Sequence, residues 1–200
     1  MATSTRKPSA VRRLEIARAA LAVIGESGAT SLTAARLAEQ VGLTPGALFR
    51  HYATLDDILS AAVDVAIEAV DATLPPLDLP PVQRLRTLAM ARIELIGGTP
   101  GLAWLLLSDQ VYLCVPEAAV TRLRALVKRS KSYLLAALSE GIEQGDLRDD
   151  IAPQTMLPIF TGTVHSLIMS RGAARSAAAA TKPPEPAGVL DALLALLAAP

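Results

Sequence analysis

Two hundred residues, 52% of them hydrophobic and 19% charged, carry enough apolar side chains to bury a core, which excludes a disordered tail protein. A single cysteine, Cys114, excludes a disulfide framework and a cysteine-cluster zinc site, and two histidines are too few for a histidine-rich metal centre. Lysine plus arginine and aspartate plus glutamate both number 19, so overall charge alone points to no polyanionic partner.

Met1 to Pro8 is polar and followed by no apolar run, so no signal peptide is expected. The most membrane-like stretch, 151–170, is uncharged. It contains Pro153, Gln154, Pro158 and His165, however, and reads as a buried helix rather than a span. The expected protein is cytoplasmic, with no membrane partner. Asparagine is absent and no Asp-Gly occurs, so the strongest two-residue hairpin turns are missing. Alanine, leucine and arginine are abundant, the apolar residues recur at helical spacing, and the fold class is all-α.

A first helix is predicted over Ser9–Ser27, with Val11, Leu14, Leu21 and Ile24 on one face and Gly28 ending it. Thr33 caps a short second helix, Ala34–Gln40, and Gly42 suits a left-handed exit. Thr44 caps a third helix, Thr44 to Tyr52, with Pro45 at its first turn, where a missing N–H is harmless. Thr54-Leu55-Asp56-Asp57 opens a fourth helix like a capping box, and that helix runs to Leu74. The stiff segment Pro75–Pro81 divides the chain into 1–74 and 75–200. Further helices are predicted over Val82–Ile96, Leu102–Cys114, Glu117–Gln144, Gln154–Gly172 and Gly188–Ala199, with 173–186 as a loop or tether.

Splitting the chain unmasks a charge asymmetry. Residues 1–55 hold seven basic groups against three acidic ones, a net of +4 that leaves −4 for the remainder. A basic head on an acidic body suits phosphate binding at one end. That head contains the run Leu32 to Tyr52, in which Ala38 is small enough for a helix crossing and Gly42 makes a tight turn. Leu37, Leu43 and Leu48 fill the wedge beneath. This is helix-turn-helix logic, with the second helix entering a major groove about 12 Å wide by its N-terminal end.

From Arg13 to about Leu59 the chain resembles the DNA-binding domain of TetR-type (tetracycline-repressor-like) transcriptional regulators. The resemblance rests on Thr33, Leu37-Ala38, Gly42-Leu43-Thr44, Gly46-Ala47-Leu48-Phe49-Arg50-His51-Tyr52 and Thr54-Leu55-Asp56. It departs at Phe49, where the family usually has tyrosine, and at Leu55, where it usually has lysine. One phenolic and one cationic phosphate contact are thereby lost, and a less salt-sensitive complex is expected. The basic residues Arg6-Lys7 and Arg12-Arg13 are expected to compensate by reaching backbone or minor groove.

The resemblance implies a double-stranded DNA operator as partner. Thr33 and Thr44 would then bind phosphate through hydroxyl and N–H, the bland alternative being simple helix caps. Arg50 and His51 donate to phosphate or a base edge, while Pro45, Gly46 and Ala47 offer apolar or close-backbone contact. Arg36 and Phe49 complete the candidate DNA-binding set. Direct readout is thin, and DNA shape is expected to share the task.

The resemblance further implies that the C-terminal helical body binds a small-molecule effector and forms a homodimer. Met90, Trp104, Tyr112, Phe160 and His165 are candidate ligand-binding residues, with ordinary core as the alternative for each. Met156, Phe160, Val164 and Leu167 on the penultimate helix, with Leu190, Leu193, Leu194 and Leu197 on the last, are candidates for a four-helix dimer interface. Core packing within one chain competes as the explanation. The basic stretch Arg122, Arg124, Lys128, Arg129 and Lys131 reads as a solvated helix edge, or else as an anion contact.

The function these features support is a ligand-responsive DNA-binding repressor, dimeric on a palindromic operator and released by a small, largely apolar effector. An effector-independent architectural or protein-binding adaptor is the alternative. An enzyme is not expected, because there is no phosphate loop, no paired catalytic carboxylates, no histidine near Cys114 in sequence and no metal-ligand spacing. Neither metal nor cofactor is expected.

Overall fold

A computed structural model describes residues 8–175 and 184–200. The expected contribution of Arg6 and Lys7, and most of the expected tether over 173–186, lie outside the described residues. Within them the chain is helical, in the order α1 (Ser9–Ser27), α2 (Ala34–Gln40), α3 (Pro45–Leu48), α4 (Leu55–Asp71), α5 (Pro81–Gly98), α6 (Pro100–Leu107), α7 (Val111–Cys114), α8 (Glu117–Glu143), α9 (Pro153–Arg175) and α10 (Pro186–Leu197). The sole extended pairing among described residues is one antiparallel bridge, Leu147 with Ala198. No helix among them is long and apolar enough to cross a membrane.

Two compact units form, and they are not consecutive in sequence. The first takes residues 1–68 and 99–123; the second takes 69–98 and 124–200. In the first, α1 buries Ile16, Ala17, Ala20, Leu21, Val23 and Ile24. Val11 and Leu14, expected on that face, are exposed. The burying face belongs to the C-terminal two thirds of the helix, where α6 packs on it. That crossing is close. A Cβ on Gly25 would lie 2.4 Å from the Gly101 nitrogen, and one on Gly101 would lie 2.1 Å from the Leu21 carbonyl oxygen. Only glycine fits at either point.

The predicted helix Leu102–Cys114 is broken into α6 and α7. Ser108 adopts an extended conformation, and its Oγ accepts from the Gln110 N–H at 3.2 Å. A serine hydroxyl of this kind competes with the helical ladder. Likewise α4 stops at Asp71, three residues short of Leu74, in turns where Thr73 and Leu74 donate to the Val70 and Asp71 carbonyls.

In the second unit α5 packs against α9 and α10, and α10 against α9. Their contact is the core of that unit, built from Leu85, Leu88, Ala89, Ile93, Met156, Phe160, Val164, Leu167, Leu190 and Leu194. The end of α10 is tied to the turn after α8, with Arg148 N–H donating to the Leu197 carbonyl at 3.0 Å and Ala199 N–H to that of Asp146 at 3.2 Å.

Candidate nucleic-acid interface

The helix-turn-helix is built by short-range chemistry. Thr33 Oγ1 accepts from the Arg36 N–H at 3.2 Å and Thr44 Oγ1 from the Ala47 N–H at 3.1 Å, so both threonines are N-caps. Between them the chain turns at Gly42, whose φ of +64° lies in the left-handed region. The Leu43 N–H reaches back to the Ala38 carbonyl at 2.8 Å, closing α2 in the manner of a Schellman motif. Leu37, Ala38 and Leu48 are fully buried in the wedge, and Leu43 is half-buried. Thr54 and Asp57 complete a reciprocal capping box, with Thr54 N–H to Asp57 Oδ2 at 2.9 Å and Asp57 N–H to Thr54 Oγ1 at 3.1 Å.

The recognition helix is shorter than predicted. Regular α structure covers Pro45–Leu48, and a turn carries the chain through Phe49, Arg50 and His51. Tight bonds from Arg50 N–H to Ala47 O and His51 N–H to Leu48 O end the α-helix there.

Along this segment Thr33, Thr44, Pro45, Gly46, Phe49 and Arg50 are exposed, and Arg36, Ala47 and His51 are half-buried. A Cβ on Gly46 would meet nothing within 4 Å, so its backbone stands open to a close approach. The two aromatic residues divide sharply: Phe49 is 41% exposed, whereas Tyr52 is 4% exposed and belongs to the core. His51 Nδ1 is buried with no hydrogen-bond partner among the described residues, the kind of unsatisfied group that binding sites carry.

Three of the cations are committed within the protein. Arg36 donates to Ser27 Oγ at 2.6 Å. Arg12 pairs with Glu15 at 2.9 Å and donates to the Val41 carbonyl at the end of α2 at 3.4 Å. Arg13 donates to the His51 carbonyl and stacks 4.0 Å from the centre of the Tyr52 ring, while the Tyr52 hydroxyl donates to the Arg13 carbonyl at 3.1 Å. Burial lifts the Tyr52 phenol above its ordinary pKa, and the Arg13 cation only partly offsets that. Arg12 and Arg13, expected on DNA backbone or minor groove, instead secure the ends of α2 and the recognition segment. Nothing in the sequence signals the Arg13–Tyr52 pair, because 39 residues separate its members.

Residues 16–65 match the family profile of bacterial regulatory proteins, tetR family. The helix-turn-helix segment is thus similar to that of TetR-type regulators. The chain is 26% identical over 148 residues to the HTH-type transcriptional repressor KstR2 of Mycobacterium tuberculosis, covering 70% of this chain and 71% of that one. The fold is shared with a TetR-family transcriptional regulator from Agrobacterium tumefaciens at a TM-score of 0.77 and 21% identity, covering 96% and 100% of the two chains. It is shared also with AibR, solved with isovaleryl coenzyme A and operator DNA, at a TM-score of 0.72 and 20% identity over 94% and 99%.

The residues expected to serve effector binding and dimerisation are scattered. Trp104 and Tyr112 belong to the first unit, Trp104 half-buried and Tyr112 exposed on α7. Met90, Phe160 and His165 belong to the second, with Phe160 buried and Met90 half-buried. His165 is exposed on α9, although partial burial of its ring and, secondarily, the Arg92 cation lower its pKa. All eight residues expected at the dimer interface, Met156, Phe160, Val164, Leu167, Leu190, Leu193, Leu194 and Leu197, are buried within the single chain. The competing core reading accounts for them.

The basic stretch of α8 divides as well. Arg122 binds Asp64 and Ser60 Oγ of α4, each at 2.7 Å, and Arg129 binds Asp71 at 2.7 Å. Arg124, Lys128 and Lys131 are exposed.

Proposed function

We propose that this chain is a cytoplasmic, ligand-responsive repressor that binds a palindromic operator as a homodimer, reads it with Thr33 through His51, and is released by a small, largely apolar effector. The observation that carries the reading is the exposed edge of the helix-turn-helix. Two threonine-capped helix N-termini, the open backbone at Gly46 and the exposed Arg50 side chain all lie along it. DNA binding is assigned to residues 1–74, and effector binding and dimerisation to 75–200. AibR, which shares the fold, has been solved with an acyl thioester and operator DNA together, and KstR2 is named a repressor; both support the reading.

Effector binding acts on DNA only through a difference in affinity between two conformations. Helix α4 is the proposed transmitter, because its residues begin just after the recognition segment and end at Asp71. The test is selection of bound fragments from random duplexes, followed by anisotropy titration. A palindrome is expected, and Arg50→Ala should weaken binding by about 1–3 kcal/mol. A protein that ignores every duplex at low ionic strength overturns the proposal.

A further inference from the structure

Helix α5 carries two inward arginines, and they are compensated differently. Arg84 is buried and forms an ion pair with Glu140. Arg92, two turns further along, receives no such carboxylate. Its Nε donates to Thr73 Oγ1 at 3.3 Å and its Nη2 to Ser130 Oγ at 2.8 Å, both neutral hydroxyls. Ser130 is itself buried, in line with Leu126 and Leu134 four residues to either side, so a hydroxyl stands in the apolar stripe of α8. Asp71 acts on Arg92 through space. Its Oδ2 accepts from Arg129 at 2.7 Å, while its Oδ1 is buried without a hydrogen-bond partner.

The charges do not cancel. Arg92 and Arg129 against Asp71 leave one positive charge, and burial with, secondarily, the Arg92 cation lowers the His165 pKa and so disfavours a further positive charge there. A guanidinium that has lost part of its hydration and gained only neutral acceptors is unfavourable unless something else neutralises it. Around it the same face of α5 is apolar, with Leu88, Ala89 and Ile96 buried one turn away. A planar cation with preorganised neighbours in an apolar helical unit is the arrangement that binds a carboxylate through a fork of two N–H groups.

We infer that Arg92 anchors the head of the effector, and that the effector class is a monocarboxylic acid with an apolar tail. The inference rests on the reading of the chain as a ligand-responsive regulator and sharpens it. Arg92, Ser130 and Thr73 hold the carboxylate, and the tail runs toward the apolar residues one turn from Arg92 on α5. Thr73 and Asp71 close α4, so a carboxylate that draws on the Arg92 N–H groups acts on the end of that helix.

The experiment compares chain-matched probes, decanoate and decanol, on the full chain by thermal unfolding and by release of a bound labelled duplex. Decanoate at about 100 times its Kd should raise Tm by roughly 5–10 °C and release the duplex, and decanol should do neither at equal concentration. Arg92→Gln should bind decanoate roughly 10- to 100-fold more weakly. Equal effects of acid and alcohol on the wild-type protein, no effect of either, or undiminished decanoate binding by Arg92→Gln each overturn the inference. The wild-type comparison stands even where the variant does not fold. Loss of duplex binding in the absence of any probe would instead remove the proposed function, so the two failures are told apart.

Discussion

At the scale of single residues, the cations of the N-terminal head divide into those left exposed and those that hold the head together. Arg50 is exposed beside the recognition segment, whereas Arg13 lies across the Tyr52 ring and donates to the His51 carbonyl. A phosphate contact and a positioning contact leave different marks on salt dependence. Each phosphate neutralised contributes about 0.9 to the slope of log affinity against log salt. Arg13→Ala is therefore expected to weaken operator binding with the slope unchanged, while Tyr52→Phe, which loses one hydroxyl donation, should lower stability by about 1 kcal/mol in urea. A slope that falls by about one unit in Arg13→Ala would return that residue to the DNA backbone. The composition of the head, seven basic residues against three, announces positive charge but cannot say which cations an intramolecular carbonyl has taken.

Among helices, the caps were legible and the crossings were not. Ser9–Ser27, Ala34–Gln40 and the Thr54–Asp57 box could be placed because their signals are local: a threonine oxygen within reach of an N–H three residues on, a glycine at the exit. The break at Ser108 was missed because a hydroxyl that takes a nearby N–H leaves no periodicity to see. The meeting of Gly25 with Gly101 was missed because close approach is a property of two helices, and a lone glycine in either reads only as weakened propensity. That crossing is testable. Gly101→Ala places a Cβ 2.1 Å from a backbone oxygen and should destabilise by about 1–3 kcal/mol or more, which for a chain of this length lowers Tm by several degrees. Gly172→Ala on α9 meets nothing within 4 Å and should be neutral or stabilise by up to about 1 kcal/mol. Equal melting of the two variants would mean that α1 and α6 separate freely.

For the whole molecule, the apolar stripes of α9 and α10 show why periodicity cannot name a partner. An i, i+3, i+4 pattern says that one face is covered, and Met156, Phe160, Val164 and Leu167 are covered by their own chain. What α9 turns outward is a second, sparser stripe: Ile159 at 46% exposure, Gly162, Ser166 and Met169 at 59%. On α10 the large apolar residue turned outward is Leu196, at 72%. A homodimer of the proposed kind needs a self-complementary patch, and small residues between two large apolar ones let helices approach. Ile159→Asp and Met169→Asp are thus expected to give folded monomers in analytical ultracentrifugation, with operator binding weakened because one short recognition segment replaces two set about 34–36 Å apart. Leu167→Asp, on the inward stripe, should unfold the second unit instead, since it buries an unpaired charge. Deletion of 187–200 should do the same, because it removes Leu190, Leu193, Leu194 and Leu197 from the core rather than from a surface. An intact dimer in both outward variants would place the two-fold contact on another face, and a folded Leu167→Asp monomer would restore the inward stripe as the interface.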